Sequence, residues 1–528
     1  MSTVDTYGWH TVAAITYADV NKAIAASGKV PASFSATAPD SSTSANNVTF
    51  GVWSLAFGGS GADISMQIGV TGGSITGPFG VGGDRASLPI SATTFPILVK
   101  ANYVPHVDDS TVLNLVLDHR QPVSVGAYSG AAPTTNSLAN AALRGLLQQW
   151  LIENINEFNM VFASVDLDAS YKSEGLNWLA PSFRGYAVSE PPTAQTMDNC
   201  VFAVLCLVDG ALAPTNISYA VSPYAIPAGA NAAFLINGEK FLEHMMFAAL
   251  PAMFDGVPAG QSAAYFDITN DGSQITNSKP LQLNKVQLDN GKIVSPNVDP
   301  LKFTVQLDGQ ELVMSISDMS FELSAGVSVH LTYTCRAKLT YGGANATGAQ
   351  KGLSLVVDSQ SGHGWIEVSK GLQIAEYITG GLALLTALLG GIGGIYSAPA
   401  TAIAEGTTVT LTRGINMGQD IEMVGLGMQA EAGVIISNVA APISRFSSAW
   451  LLTTKIALAV GFLSGLMPMI TEVIKAVADG KYDSMPEITE LTNAAIGQTV
   501  IWPASVSDYT LASAQLNGAL QFGLAKSK

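Results

Sequence analysis

Residues 377–404 (YITGGLALLTALLGGIGGIYSAPATAIA) carry no charged side chain, and residues 446–471 carry only Lys455. Runs this apolar must be buried in a large core or meet something greasy, because exposing them to water costs about 25 cal/mol per Å². The first is long enough to cross a bilayer, which takes about 20 apolar residues. Its glycine pairs at 380–381, 390–391 and 393–394 would let helices pack closely in lipid. In water each such glycine weakens an exposed helix by about 1 kcal/mol. The second run is shorter and contains Pro468, and neither is followed by a basic flank that would set an orientation. Two helices buried in a water-soluble fold are the first expectation. A lipid-contacting or insertable hairpin is the alternative, with pore formation through 377–404 as its extreme form; a constitutive membrane anchor is disfavoured.

The rest of the chain narrows the choice of function. Its 528 residues are 48% hydrophobic, enough for two to four domains of about 150 residues. The net charge of −16 argues against nucleic acid, whose phosphates must be neutralised by Lys and Arg. It also argues against electrostatic recruitment to an anionic bilayer. Three cysteines, Cys200, Cys206 and Cys335, make an odd count that fits no disulfide framework. On one strand Cys200 and Cys206 would stand about 20 Å apart, so all three read as small buried hydrophobes. The N-terminus, MSTVDTYGWH, has neither a basic nor an apolar signal region. Cytoplasmic synthesis is expected, with release by lysis or a non-classical route.

Local patterning alternates between strands and amphipathic helices. WHTVAAIT (9–16) reads as a strand, and Thr16 can cap a helix that stops at Gly28. From residue 48 to about 125, apolar runs alternate with Gly, Pro and Asp clusters as in a β-meander. Between 138 and 158 the period becomes helical, with Leu143, Leu147, Trp150, Leu151, Ile155 and Phe158 on one face. Residues 183–208 are β-like. A second amphipathic helix is expected over 232–254, bearing Phe234, Phe241, Met245 and Leu250. Further strands follow from 265 to about 357 and from 499 to 523.

Four stretches resemble one family: DTYGWHTVAAITYADVNKAI; NWLAPSFRGYAVSE with CVFAVLCLV; NAAFLINGEKFLEHMMFAALPAMF; and VIWPASVSDYTLASAQLNGALQFG. In this order they are similar to the forty-seven-kilodalton accessory protein and the OrfX proteins of botulinum neurotoxin gene clusters. The resemblance implies an α+β fold of the tubular lipid-binding (TULIP) superfamily: strongly curved antiparallel sheets wrapped around long amphipathic helices. It implies a bacterial toxin accessory protein and brings no catalytic residue. The expected layout is an N-terminal lobe over 1–165, a second lobe over 166–365, an apolar helical region over 366–490, and C-terminal strands over 491–528 completing the second lobe.

No motif supports an enzyme or a metal or cofactor site. GLGMQA (425–430) lacks the downstream carboxylate a dinucleotide site needs. GGSG (58–61) fails the nucleophile-elbow pattern at Ala62. The six histidines offer no helical zinc pair, and His106 with Asp108 and Asp109, or His119 with Asp118, lack a matching second group. TNDGSQ (269–274) reads as a hairpin turn. Two functions remain. One is a non-enzymatic lipid-binding or membrane-contacting protein whose hydrophobic groove is lined by Leu143, Leu147, Trp150, Leu151, Ile155, Phe158, Phe234, Phe241, Met245 and Leu250. The other is a ligand-free docking component for proteins of the same cluster, where the acidic charge favours a basic partner.

Overall fold

The computed structural model describes residues 3–342, 352–368, 434–436 and 499–526, apart from 168–173, 248–249, 259, 271, 284–285, 288–292 and 325–326. The segments 377–404 and 455–471, and with them the expected C-terminal apolar helices, lie outside the described residues. Among the described residues no helix is long and apolar enough to cross a membrane. The structure is predominantly antiparallel β and divides into two compact units. Unit 1 comprises 1–237, 489–514 and 519–528; unit 2 comprises 238–488 and 515–518.

Unit 1 is organised by strand β1 (Thr11–Thr16), whose six residues are all buried. Thr16 ends the strand and accepts a hydrogen bond from the Asp19 amide at 3.2 Å, starting helix α1 (Tyr17–Ser27). Gly28 closes the helix at φ 60°, a left-handed conformation that costs glycine little. Four strands form the start of a second sheet: β2 (Ser33–Thr37), β3 (Ser44–Leu55), β4 (Ile64–Gly77) and β5 (Thr93–Val99). The pair β6 (Ser124–Val125) extends it in the order β2–β3–β4–β5–β6, with Ala86–Pro89 also pairing β4. Helix α2 (Ser137–Asn154) is capped by Asn136, whose side chain accepts from the amides of Leu138 and Ala139. It ends in a tighter turn over Ile155–Glu157 and packs on β2, β3, β4 and β6.

The central sheet of unit 1 is built from distant parts of the chain. Strands β7 (Pro181–Ser189), β8 (Val201–Val208) and β9 (Ala232–Asn237) join the C-terminal hairpin of β13 (Tyr509–Leu516) and β14 (Ala519–Lys526). Their order is β7–β8–β1–β9–β14–β13. β8 (VFAVLCLV) and β9 (AAFLIN) are buried at every position, so both faces of the sheet are covered and the strands read as continuous apolar runs. Unit 2 contains a ten-stranded antiparallel sheet dominated by three long strands, β10 (Glu311–Ser324), β11 (Val327–Gly342) and β12 (Gly352–Val368). In it the buried Asn277 accepts from the Phe303 amide and donates to the carbonyls of Lys279 and Asp299, so its amide is satisfied without water.

Two expectations are corrected. The helix expected over 232–254 does not start at 232: AAFLIN is strand β9, and only at Gly238 does helical winding begin. A short apolar run is ambiguous in period, and here pairing decides it, with Phe234 opposite Ala13 on β1 and Phe522 on β14. The chain also divides at 237/238 rather than 165/166. For the same reason the C-terminal strands extend the central sheet of unit 1, through β9, instead of completing a second lobe.

Candidate hydrophobic site

Two apolar seams contain nine of the ten groove candidates. The seam of unit 1 lies under α2, where Leu143, Leu147 and Leu151 have 0% of their surface exposed, Ile155 and Phe158 1%, and Trp150 7%. Trp150 stands 5.7 Å from Phe34 and 5.3 Å from Phe50, centroid to centroid. From Phe50 the row continues through Trp53 (5.3 Å), Phe158 (5.2 Å), Phe162 (5.9 Å) and Phe202 (5.5 Å). These spacings are those of aromatic rings in direct contact. The Trp53 indole N–H is buried with no hydrogen-bond acceptor among the described residues and meets Phe50 edge-on at 74°. An acyl chain is wider than a water molecule, so a channel holding one leaves accessible surface on its walls. Leu143, Leu147 and Leu151 carry none.

The seam of unit 2 is built differently. After Gly238–Lys240 the chain takes a π-helical turn over Phe241–Met246, and a 3-10 turn over Leu250–Met253 follows. Phe241, Leu242, Met245, Met246 and Leu250 are all buried. Lys240 and Glu243 pair on its outside at 2.7 Å. The adjoining aromatic group is Phe254, Phe266 and Phe303, with centroids 5.1–6.0 Å apart. π-turns are rare and often sit where a helix bends to a task, and methionine is the most adaptable apolar filler. The tenth candidate, Phe234, is buried on strand β9 of unit 1, on the same face of the central sheet as Phe202.

The polar features flagged by the sequence resolve into structural ties. The GGSG loop docks on β7: the amides of Gly58 and Gly59 donate to Glu190 Oε1 at 2.7 and 3.0 Å. Gly61 and Val188 exchange backbone hydrogen bonds at 3.0 and 2.8 Å. His106 Nδ1 accepts from the Asp108 amide, Asp109 holds the Thr111 amide and hydroxyl, and Asp118 pairs with Arg120. Burial pushes the Cys200 thiol up to about 11 and the Cys206 thiol up to about 12, which keeps both protonated and unreactive.

Sequence reading missed the most buried charge of unit 1 among the described residues. Asp19, 1% exposed, accepts from Lys526 Nζ at 2.5 Å, Tyr509 Oη at 2.8 Å and Lys22 Nζ at 3.1 Å. Burial alone raises its pKa, but the three hydrogen bonds outweigh it and the carboxyl sits below the usual range. Burial, with the Asp19 carboxylate, pushes the Tyr509 hydroxyl far above its ordinary value. The knot fastens α1 to the C-terminal hairpin. A carboxylate in the first turn of a helix, three positions before Lys22, was visible in the sequence; its two distant partners, Tyr509 and Lys526, 490 and 507 positions away, were not.

Comparison with known proteins gives the chain relatives. The OrfX-like family model, described as Protein OrfX2/OrfX3/P47, matches residues 6–431. Protein OrfX3 of Clostridium botulinum (strain Kyoto / Type A2) is 27% identical over 361 residues, 61% of this chain and 70% of the relative. Protein OrfX3 of Paraclostridium bifermentans is 26% identical over 275 residues, 47% of this chain and 55% of the relative. The solved structure of P47 from C. botulinum A2 covers 99% of both chains with a TM-score of 0.55 at 13% identity. That of P47 from C. botulinum E1 covers 99% of this chain and all of its own, with a TM-score of 0.56 at 14% identity. These likenesses establish a shared fold.

Proposed function

The chain belongs to the OrfX-like family, and from that premise we propose that it is a non-enzymatic accessory protein of a bacterial toxin gene cluster that works by docking to other proteins. The observation that carries this reading is the filled seam of unit 1. The helix face most suited to line a groove is covered by the protein's own aromatic rings, and Leu143, Leu147 and Leu151 retain no accessible surface. What is left for contact is the outer surface, which is acidic overall at a net charge of −16. Such a surface favours a partner with a basic face, and salt weakens the attraction.

The test has two arms. Purified full chain is analysed by native mass spectrometry and by lipid extraction, and it is mixed with each protein of its gene cluster on a sizing column. The docking reading expects a ligand-free mass and co-elution with at least one cluster protein, reduced at high salt. Reproducible stoichiometric lipid without co-elution contradicts it.

A second reading, a bound hydrophobic ligand, is favoured by one feature of unit 2. The π-turn over Phe241–Met246 buries Met245 and Met246 in the same segment that buries Phe241, and Leu250 follows it, buried as well. Methionine side chains can rearrange around a guest more cheaply than packed aromatic rings. On this reading the groove candidates of unit 2, not those of α2, meet the ligand.

A further inference from the structure

The sequence contains a single Asp–Pro bond, Asp299–Pro300, and unit 2 builds a polar cradle around its carbonyl. Residues 299–302 form a turn closed by the Lys302 amide, which donates to the Asp299 carbonyl at 3.2 Å. Proline stands at the second position, where its fixed φ suits a turn. The third is Leu301 at φ 65°, a left-handed conformation that glycine takes freely and leucine does not. Leu301 is tied there, because its amide donates to the Asn277 carbonyl at 2.8 Å. Asn277, 0% exposed, also donates from Nδ2 to the Asp299 carbonyl at 2.8 Å, while its Oδ1 is held by the Phe303 amide at 2.9 Å. One carbonyl oxygen thus receives two donors, one of them fixed by a buried side chain. Asp299 and Pro300 themselves are exposed, so the carboxylate is free to rotate onto its own carbonyl carbon.

We propose that Asp299–Pro300 is a self-cleavage site, at which the folded chain cuts itself once in mild acid. An Asp299 carboxylate oxygen bonds to the carbonyl carbon of the same residue, an intramolecular attack that needs no second reactant to be positioned. The carbonyl oxygen takes up negative charge between Asn277 Nδ2 and the Lys302 amide, which act as an oxyanion hole. The C–N bond to Pro300 then breaks, and the proline nitrogen leaves with the electron pair and a proton from solvent. A cyclic anhydride remains. One water opens it, restoring the Asp299 side chain and leaving a new C-terminal carboxyl group; nothing is oxidised or reduced. Proline favours this route, because a nitrogen without N–H cannot close a succinimide on the side chain. Cleavage also releases Leu301 from its left-handed conformation, since the turn that imposes it is cut at its first peptide bond. The event is a single turnover and stands apart from the docking reading.

Incubation of the full chain in a pH series from neutral down to about 4, the ordinary carboxylate value, tests the inference. Products are read by denaturing gel and intact mass at each pH where circular dichroism shows the chain folded, and the same series is run in urea. Two pieces are expected, residues 1–299 and 300–528, whose masses sum to that of the chain plus one water. They are expected to form at least about tenfold faster from the folded chain than from the unfolded one, because only the fold supplies the two donors. Asp299→Asn, on an exposed turn, is expected to keep the fold and stay whole. A folded wild type that stays whole overturns the inference. So does a cut no faster than in urea, a cut at another bond, or equal cleavage of the Asn variant.

Discussion

Helix α2 in unit 1 and the turn from Gly238 to Met253 in unit 2 were expected to do the same job, yet they are built in opposite ways. α2 is regular, capped by Asn136, and sealed by a row of seven aromatic rings that starts at Phe34 and ends at Phe202. The unit 2 segment changes winding from α to π to 3-10 and buries Met245 and Met246 as well as Phe241. Rings locked against rings have few alternative arrangements, whereas unbranched thioethers have many. The chain therefore carries an aromatic seam in unit 1 and a methionine-bearing one in unit 2, and ligand adaptability is expected in the second only.

The largest expected effect breaks the rigid side. Trp150→Ala removes the ring between Phe34 and Phe50 and should cost about 3–5 kcal/mol, as large aromatic truncations in filled cores do. Urea unfolding of the full chain measures it. A loss below about 1 kcal/mol would mean that the α2 seam is loosely filled, and the contrast between the units would fail.

Asp19→Asn comes next. Its lysine partners keep 61% and 35% of their side-chain surface in solvent, so screening reduces the expected loss to about 1–2 kcal/mol near neutral pH. The sign with pH follows from the lowered folded value. The contribution is complete above the unfolded carboxylate value of about 4 and is lost as pH falls through the lower folded value. Acid titration of the melting temperature should therefore show a steeper decline in the wild type than in the Asn variant. Parallel declines would remove Asp19 from the account.

Smaller still is Asn136→Ala, expected to cost about 1 kcal/mol through the lost cap of α2, read by the same unfolding assay. On the adaptable side, Met245→Leu should cost less than about 1.5 kcal/mol, because a same-size apolar exchange is absorbed. A larger loss would show Met245 to be as tightly specified as the rings under α2.

Much of this contrast was legible in the residues. Thr16, Gly28 and the three- and four-residue spacing from Leu143 to Phe158 located α1 and α2, because caps and periodicity are local signals. The family resemblance was legible too, since its four stretches kept their order. What failed was non-local. AAFLIN fits a helix or a strand equally, and its pairing with β1 and the distant β14 decided the outcome. The same pairing moved the domain boundary to 237/238 and drew the C-terminal hairpin into unit 1. Phe50 and Trp53 were readable within the β-meander from residue 48, whereas Phe34 lies in 31–46, a stretch so poor in large apolar groups that it reads as loop, yet it forms β2; which helix these rings meet is set by tertiary packing. Neither the Asp19 knot nor the GGSG latch on β7 leaves a trace in spacing.

The most direct test of a sealed α2 seam is photolabelling of the full chain with a photoactivatable fatty acid, mapped by peptide mass spectrometry. The expected result is no label on residues 137–158, with any saturable labelling confined to peptides of unit 2 that include 241–254. Saturable, stoichiometric label on Leu143, Leu147 or Leu151 would contradict the account, because it requires an accessible channel where the structure has packed rings.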